Sequence, residues 1–317
     1  MKKRSNGVTV SRFRYWMAGR RRTRTVETVL AHSPLQASAR VIARRRLCVL
    51  AYHGVSDAKK FTAQLDWLSA NTTPVALDDV RLSLLEGGDF PQHPVLLTFD
   101  DGDPSVLDVA APLLRERGIP AVAFVVAGLI DTETPFWWTE VEELMRSGAR
   151  AEVSGPELLH RLKIASDDER RRLIESLRAQ VAHPVRTPQL TSDDLRKLEL
   201  DGVSVGNHSL THPCLDKCDD QTLRREVHES HARLTEILGH PPDSFAYPNG
   251  NWDERVREQV RAAGYSMAFG FDHRVVSRTA DPLTISRVRV DAAADLDRFR
   301  ILASGLHSGL HRLRGRS

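Results

Sequence analysis

Cysteine is scarce in this chain of 317 residues: Cys48, Cys214 and Cys218 are too few, and odd in number, to form a disulfide framework. Nothing in the sequence therefore calls for an oxidising compartment. Long apolar runs are missing too. The longest nearly uncharged stretch, residues 119–130, is well short of the roughly 20 residues a bilayer-spanning helix needs, so no transmembrane helix is expected. The basic N-terminal residues are not followed by the apolar region of a secretory signal, which leaves a cytoplasmic location as the default. There is no internal repeat and no low-complexity segment. With 41% hydrophobic and 27% charged residues, the composition excludes a disordered or fibrous chain and allows a sizeable core.

The two signs of charge nearly cancel, 45 Lys and Arg against 42 Asp and Glu, but they are unevenly placed. Residues 1–46 hold 13 basic residues and a single acid, Glu27, leaving 32 basic and 41 acidic residues for the rest. An acidic body makes nucleic acid an unexpected main partner. The leader reads as a poorly ordered, solvated arm, or as an arm that contacts an acidic surface. Residues 301–317 form a second basic segment, read as a C-terminal tail.

Between these ends, short apolar runs alternate with amphipathic stretches. Strands are predicted at 47–52, 95–99, 121–126, 203–205, 244–247, 266–269 and 285–290, with helices at 61–71, 106–117, 192–200, 221–238 and 253–263. Repeated strand–helix units predict an α/β fold with a parallel sheet, open or closed into a barrel. Residues 131–190 are less regular, with helices at about 140–146 and 167–181. They read as an insertion or lid within one catalytic domain over 47–300, because about 60 residues of this composition would bury only a small core.

In such folds function gathers on loops leaving the C-terminal ends of strands. Three strand ends carry polar clusters: Tyr52-His53-Gly54, Thr98-Phe99-Asp100-Asp101-Gly102 and the segment from Gly206 to Pro213. Adjacent carboxylates on an extended chain point opposite ways, so one can bind a metal while the other faces substrate. His208 and His212 are four apart, and a helical turn would bring both imidazoles to one side. Asp, His and His form the kind of three-ligand set that leaves positions open for chemistry at a bound divalent ion. Cys214 and Cys218 could extend the histidines into a closed zinc site, but they follow Pro213 in an ordinary segment and read as buried or free thiols.

The runs Thr98-Phe99-Asp100-Asp101-Gly102, His208-Ser209-Leu210-Thr211-His212-Pro213 and Phe245-Ala246-Tyr247-Pro248-Asn249-Gly250 resemble the first three motifs of the polysaccharide deacetylases, the NodB-homology or carbohydrate esterase 4 family. The resemblance extends over about 47–290 and implies a distorted, incomplete (β/α) barrel. It implies hydrolysis of an N-acetyl group on an amino sugar, with an N-acetylated glycan as substrate and a divalent cation, zinc as first choice, as cofactor. On the matching positions, Asp101, His208 and His212 would hold the metal and Asp100 would be the general base. The segment Tyr247-Pro248-Asn249 would serve the oxyanion or substrate, with the backbone N–H of Asn249 as oxyanion donor.

Two departures stand out. Ala246 occupies the place of the family's base-orienting arginine, and Arg287 is the candidate to replace it, with a surface arginine as the alternative. No late Leu-x-His motif is evident; Leu50-Ala51-Tyr52-His53 resembles the arrangement of circularly permuted members, where an early histidine is the general acid, although His53 could also be a core histidine. The missing arginine is the best argument for a catalytically silent carbohydrate-binding protein on the same fold. Trp137 and Trp138 read either as a sugar-stacking platform or as lid packing. Asp103 reads as a substrate contact or a helix cap.

Overall fold

A computed structural model describes residues 20–313, with side chains described over 26–309. Nine strand segments form one parallel sheet: β1 (Cys48–Tyr52), β2 (Thr73–Pro74), β3 (Pro94–Phe99), β4 (Ala121–Val125), β5 (Val203–Asn207), β6 (Ser244–Ala246), β7 (Met267–Gly270), β8 (Ile285–Ser286) and β9 (Val288–Arg289). The order across the sheet is β8-β7-β6-β5-β4-β3-β1-β9, with β2 beside β3. β8 and β9 stand at the two ends of this order, yet only Arg287 separates them in the chain. One stretch of backbone thus pairs with β7 on one side and β1 on the other, giving a nearly closed barrel. The single strand expected at 285–290 is split at Arg287 for this reason.

Side chains alternate across each strand. Leu47, Val49, Leu96, Val122, Phe124, Ala246, Met267, Phe269 and Ile285 pack together inside the barrel. Leu50, Tyr52, Leu97, Phe99, Ala123, Val125, Val203, Val205 and Val288 face outward against the helical layer. Both faces are covered, which explains strands that are apolar throughout: every residue of β1, β3 and β4 is buried. The outer layer includes α3 (Ala58–Asn71), α4 (Leu77–Leu85), α5 (Ala111–Glu116, entered through a wide turn at Val106–Ala110), α9 (Ser192–Leu200), α10 (Asp220–Leu238) and α11 (Glu254–Ala262). Asp57, Thr191, Asp219 and Asp253 cap α3, α9, α10 and α11 by accepting a backbone N–H of the first turn.

Between β4 and α9 lie α6 (Trp137–Arg146), α7 (Gly155–Ile164) and α8 (Asp167–Arg178). They share a small core of Val141, Leu144, Leu158, Leu162, Ile174 and Leu177, and Arg178 pairs with Glu140 at 2.6 and 2.8 Å.

The two ends of the chain depart from the sequence reading. The leader contains α1 (Arg20–Ala31) and α2 (Pro34–Ile42); the tail contains α12 (Leu296–Ala303) and α13 (Leu306–Leu313). They pack on each other. Ala31 meets Ile301 and Leu306, Thr28 donates to Asp297, Arg298 pairs with Glu27, and buried Gln36 donates to the Arg300 carbonyl while accepting from Ser304. A poorly ordered arm over all of 1–46 is therefore incorrect for its described part, as is a bare tail after residue 301. Counting charge hid the apolar residues spaced among the arginines. Residues 1–19 of the arm and 314–317 of the tail lie outside the described residues.

Deleting residues 1–46 removes these contacts, and the melting temperature is expected to fall by roughly 5–10 °C, the equivalent of a few kcal/mol in a domain of this size. Gln36→Ala alone is expected to cost about 1–3 kcal/mol, because it removes two hydrogen bonds that join the leader to the tail, one to the Arg300 carbonyl and one from Ser304. Calorimetry on both variants checks this, and unchanged melting in the deletion would restore the solvated-tail reading.

Candidate active site

Strand register brings the polar clusters to one end of the barrel. Tyr52 lies beside Phe99, and the Asp100 N–H continues the ladder by donating to the Tyr52 carbonyl at 2.9 Å. Val125 lies beside Asn207, and the His208 N–H donates to the Val125 carbonyl at 2.9 Å. The strand period then decides which residues face inward. Asp100 follows Leu96 and Thr98, and His53 follows Val49 and Ala51. His208 follows Ser204 and Gly206, while Arg287 follows Ile285.

Tyr247 has the opposite parity. Its ring is buried outside the barrel with Phe245, Val256 and Tyr265, and its hydroxyl donates to the Leu283 carbonyl at 2.8 Å. A substrate role for the Tyr247 side chain is therefore corrected: the same alternation that turns Ala246 inward turns its neighbour outward. Pro248 is buried, and Asn249 adopts a left-handed backbone at φ 58° beside Gly250 at the mouth.

Arg287 is a fully buried cation. Its two terminal nitrogens donate to the two oxygens of Asp100 at 2.6 and 3.0 Å, and its guanidinium carbon lies 4.3 Å from the centre of the Phe271 ring. The surface-arginine alternative is excluded by this burial. For Asp100 burial alone would favour the neutral acid; the Arg287 charge, with His208 and His53, outweighs it and holds the carboxyl at about 2.

Asp101 faces the two imidazoles. Its Oδ1 lies 3.5 Å from His208 Nε2 and 3.4 Å from His212 Nε2, and this buried oxygen has no hydrogen-bond partner. Burial and the adjacent Asp100 push its pKa up to about 8. Burial lowers His208, helped by Arg287 and opposed by Asp100, and lowers His212 further, with the His208 charge adding to it. An unsatisfied carboxylate oxygen facing two imidazoles that burial favours as neutral fits a cation: one oxygen and two nitrogens, mutually within 4.8 Å, are arranged to share a positive charge. The Ala246 carbonyl, 2.7 Å from His208 Nδ1, accepts that proton and leaves Nε2 as the free ligand atom.

The expected helical turn between the histidines is absent. Ser209 and His212 have φ of 68° and 59°, and this left-handed loop brings the ring centres within 4.8 Å. Asp101, at φ 74°, likewise turns out of the extended chain assumed from sequence. These conformations are imposed from outside. Ala127 and Gly128 donate to the Ser209 and Leu210 carbonyls, and a β-carbon at Gly128 would stand 2.4 Å from the Leu210 oxygen. Buried Glu226 of α10 accepts from the Leu210 and Thr211 amides at 3.0 and 2.8 Å and from the Thr211 hydroxyl at 2.6 Å. Glu226 is a positioning residue missed in the sequence. Its signal was a carboxylate in line with Leu223, Val227 and Leu234 on the buried face of its helix.

His53 keeps exposed surface in the cleft, yet the surrounding walls push its pKa down to about 4; Asp100 opposes this, and Arg289, His208 and Arg287 reinforce it. Trp138 sets its ring edge against His212 at 4.8 Å and stacks on Phe136, so it lines the site, whereas Trp137 packs on the insertion core under Arg170. Asp103 accepts from the Ser105 amide at 2.8 Å, a local turn contact. Cys214 and Cys218 are buried free thiols outside the cluster.

Comparison with known proteins agrees with this architecture. The poly-beta-1,6-N-acetyl-D-glucosamine N-deacetylase of Staphylococcus aureus is 21% identical over 238 residues, covering 75% of this chain and 68% of that protein. The deacetylase PplD of Streptococcus pyogenes, solved in complex with acetate, superposes with a TM-score of 0.59 at 17% identity, over 80% of this chain and 96% of that one. IcaB from Ammonifex degensii gives a TM-score of 0.57 at 23% identity, over 82% and 97%. These structures share the fold. A family model described as polysaccharide deacetylase matches residues 87–268, more than half of the chain, and the chain belongs to that family.

Proposed function

We propose that this chain removes N-acetyl groups from an amino sugar in a polysaccharide or glycan precursor by metal-dependent hydrolysis. One observation carries the reading: an unsatisfied Asp101-His208-His212 cluster meets, at one barrel mouth, a carboxylate gripped by a buried arginine. The name of the Staphylococcus aureus relative makes poly-β-1,6-N-acetyl-D-glucosamine the first polymer to assay for acetate release. Zinc is the proposed ion, since two imidazole nitrogens and one carboxylate suit it. When bound, such a cation supplies Lewis acidity, polarising the acyl oxygen and easing ionisation of water.

The chain's own groups do the rest. Asp100 takes a proton from the attacking water, and Arg287 keeps both of its oxygens in place. Asp100 passes that proton to His53, neutral at rest, and the imidazolium so formed delivers it to the departing amine, so one proton passes from water to leaving group. The Asn249 N–H faces the developing oxyanion. We read the chain as a circularly permuted member. Support comes from the inward position of His53 just past the first strand and from Arg287, which reaches Asp100 where Ala246 lacks the side chain to do so. The Arg287 contact also removes the main argument for a catalytically silent binding protein.

Metal binding is the first test. His208→Ala or His212→Ala is expected to abolish stoichiometric metal in elemental analysis. Because Asp101 sits near 8 without metal, it is mostly protonated at pH 7 and must release that proton on binding; the release falls to about half near pH 8 and fades at higher pH. Titration calorimetry in two buffers of different ionisation enthalpy should report about one proton released at pH 7. Full metal content in both histidine variants would remove this site, and binding without release would remove the raised proton affinity of Asp101.

The acid–base roles separate in three variants. Asp100→Asn is expected to keep the metal and lose about 10²–10⁴ in kcat, whereas Asp101→Asn loses the metal. His53→Ala is expected to slow amide cleavage by a similar factor while sparing an activated acetyl ester, whose leaving group departs unprotonated. Equal losses on amide and ester would reduce His53 to a packing residue.

For residues 1–46 we propose contact with an anionic lipid surface. Thirteen basic residues supply the charge, and Val26, Val29, Leu35, Val41 and Ile42 of α1 and α2 lie exposed among them, offering aliphatic surface that a nucleic acid has no means to bury. The chain is expected to sediment with phosphatidylglycerol vesicles and not with phosphatidylcholine vesicles, and to lose at least part of this on Ile42→Asp. Equal sedimentation with both lipids would refute it.

A further inference from the structure

Arg289 is not used by the mechanism above, yet the strand period places it in the mouth of the barrel. It follows Ile285 and Arg287 at alternate positions, the inward set, while Val288 and Val290 pack outward. Its guanidinium lies 4.9 Å from the centre of the Phe271 ring, the same ring that carries Arg287. The two arginines have different fates. Arg287 is fully buried and spends its fork on Asp100; Arg289 is exposed, and among the described residues it forms no ion pair with a carboxylate.

A second cation stands on a different element. Lys163, half-buried near the end of α7 in the helical insertion, stands close enough for the Arg289 charge to help burial lower its proton affinity. The Lys163 carbonyl lies 3.4 Å from the Cys214 sulfur, two residues beyond His212, so the end of α7 borders the metal-ligand loop. Two like charges carried by separate elements thus act on each other, and the end of α7 that bears Lys163 borders the loop after His212.

A neutral sugar entering this mouth would strip water from Arg289 and return only hydroxyl groups, which leaves a desolvated cation poorly compensated. A negative group would compensate it. The guanidinium, placed over Phe271, is a planar fork whose donors match the paired oxygens of a carboxylate or phosphate.

We propose that Arg289, with Lys163, forms a subsite for an anionic substituent, a carboxylate or a phosphate, carried on the glycan beside the acetamido group to be cleaved. This rests on the deacetylase reading but makes a separate claim, that the substrate is an acidic N-acetylated glycan.

Binding is measured first, on the full chain, so that the outcome does not depend on turnover. The probes are an N-acetylglucosamine tetramer and a tetrasaccharide of alternating glucuronic acid and N-acetylglucosamine, titrated calorimetrically. N-Acetylglucosamine 1-phosphate against N-acetylglucosamine provides the phosphate arm. At least one anionic probe is expected to bind about 10- to 100-fold more tightly than its neutral counterpart, and the tighter of the two names the group. That ratio should fall towards one in Arg289→Gln, shrink in Lys163→Met, and decline with added salt. Arg289→Glu should invert it, and the melting temperature of each variant confirms folding. Equal affinities for charged and neutral probes in the parent protein, or a ratio untouched by Arg289→Gln, overturns the subsite. Acetate release from the neutral tetramer is then followed with the metal-loaded enzyme. Turnover without an anion preference sinks the subsite and leaves the deacetylase reading standing; an anion preference without turnover on any probe does the reverse.

Discussion

The pairing of Arg287 with Asp100 is the constraint around which this site is organised. A guanidinium and a carboxylate, both removed from water inside a barrel, are tolerable only because each satisfies the other through two hydrogen bonds. Removing either partner alone would strand a buried charge at a cost of about 3–5 kcal/mol. The pair also ties topology to chemistry. Arg287 is the residue between β8 and β9, where the backbone passes from one edge of the sheet to the other, so the segment that closes the barrel also orients the carboxylate.

Beside that satisfied pair lies an unsatisfied cluster of three. Asp101 and the two imidazoles approach without hydrogen bonds, at distances that leave room for a shared ion, and three residues of the cluster's loops adopt left-handed conformations to achieve it. The strain is held by contacts from three directions: the backbone at Ala127 and Gly128, the Glu226 carboxylate and the Ala246 carbonyl. Rigid placement of ligands before any ion arrives is what such a centre requires, because it lets affinity go into binding rather than ordering. The helical insertion adds Trp138 on His212 and Lys163 near Arg289, so the mouth is walled by an element separate from the barrel.

Much of the fold was legible because burial on both faces writes itself as short apolar runs. The strands beginning at Cys48, Pro94 and Ala121 differ from expectation by a residue or so, and α9 coincides with its expected span, since Thr191 and Asp194 form a reciprocal cap at its start. Helices α1, α2, α12 and α13 escaped because the partners of their apolar residues lie far away in the chain. Ala31 meets Ile301 and Leu306 more than 250 residues on, while Phe299 and Leu302 of α12 join the main core, Phe299 against Trp67 of α3.

The sequence by itself determined which residues could do the chemistry: adjacent Asp100 and Asp101, the two histidines, His53 at a strand end and an arginine free to replace Ala246. It also contained, in the two-residue period of each strand, the inward set that includes Asp100, Arg287 and Arg289 and excludes Tyr247. Only the tertiary structure decided that β9 pairs with β1, which carries Arg287 across the barrel to Asp100, and that His208 and His212 meet through a left-handed loop instead of a helical turn. The reason is physical. Alternation and apolarity are local properties of a strand, readable one segment at a time, whereas strand order and loop conformation are fixed by hydrogen bonds and packing between segments far apart in the chain.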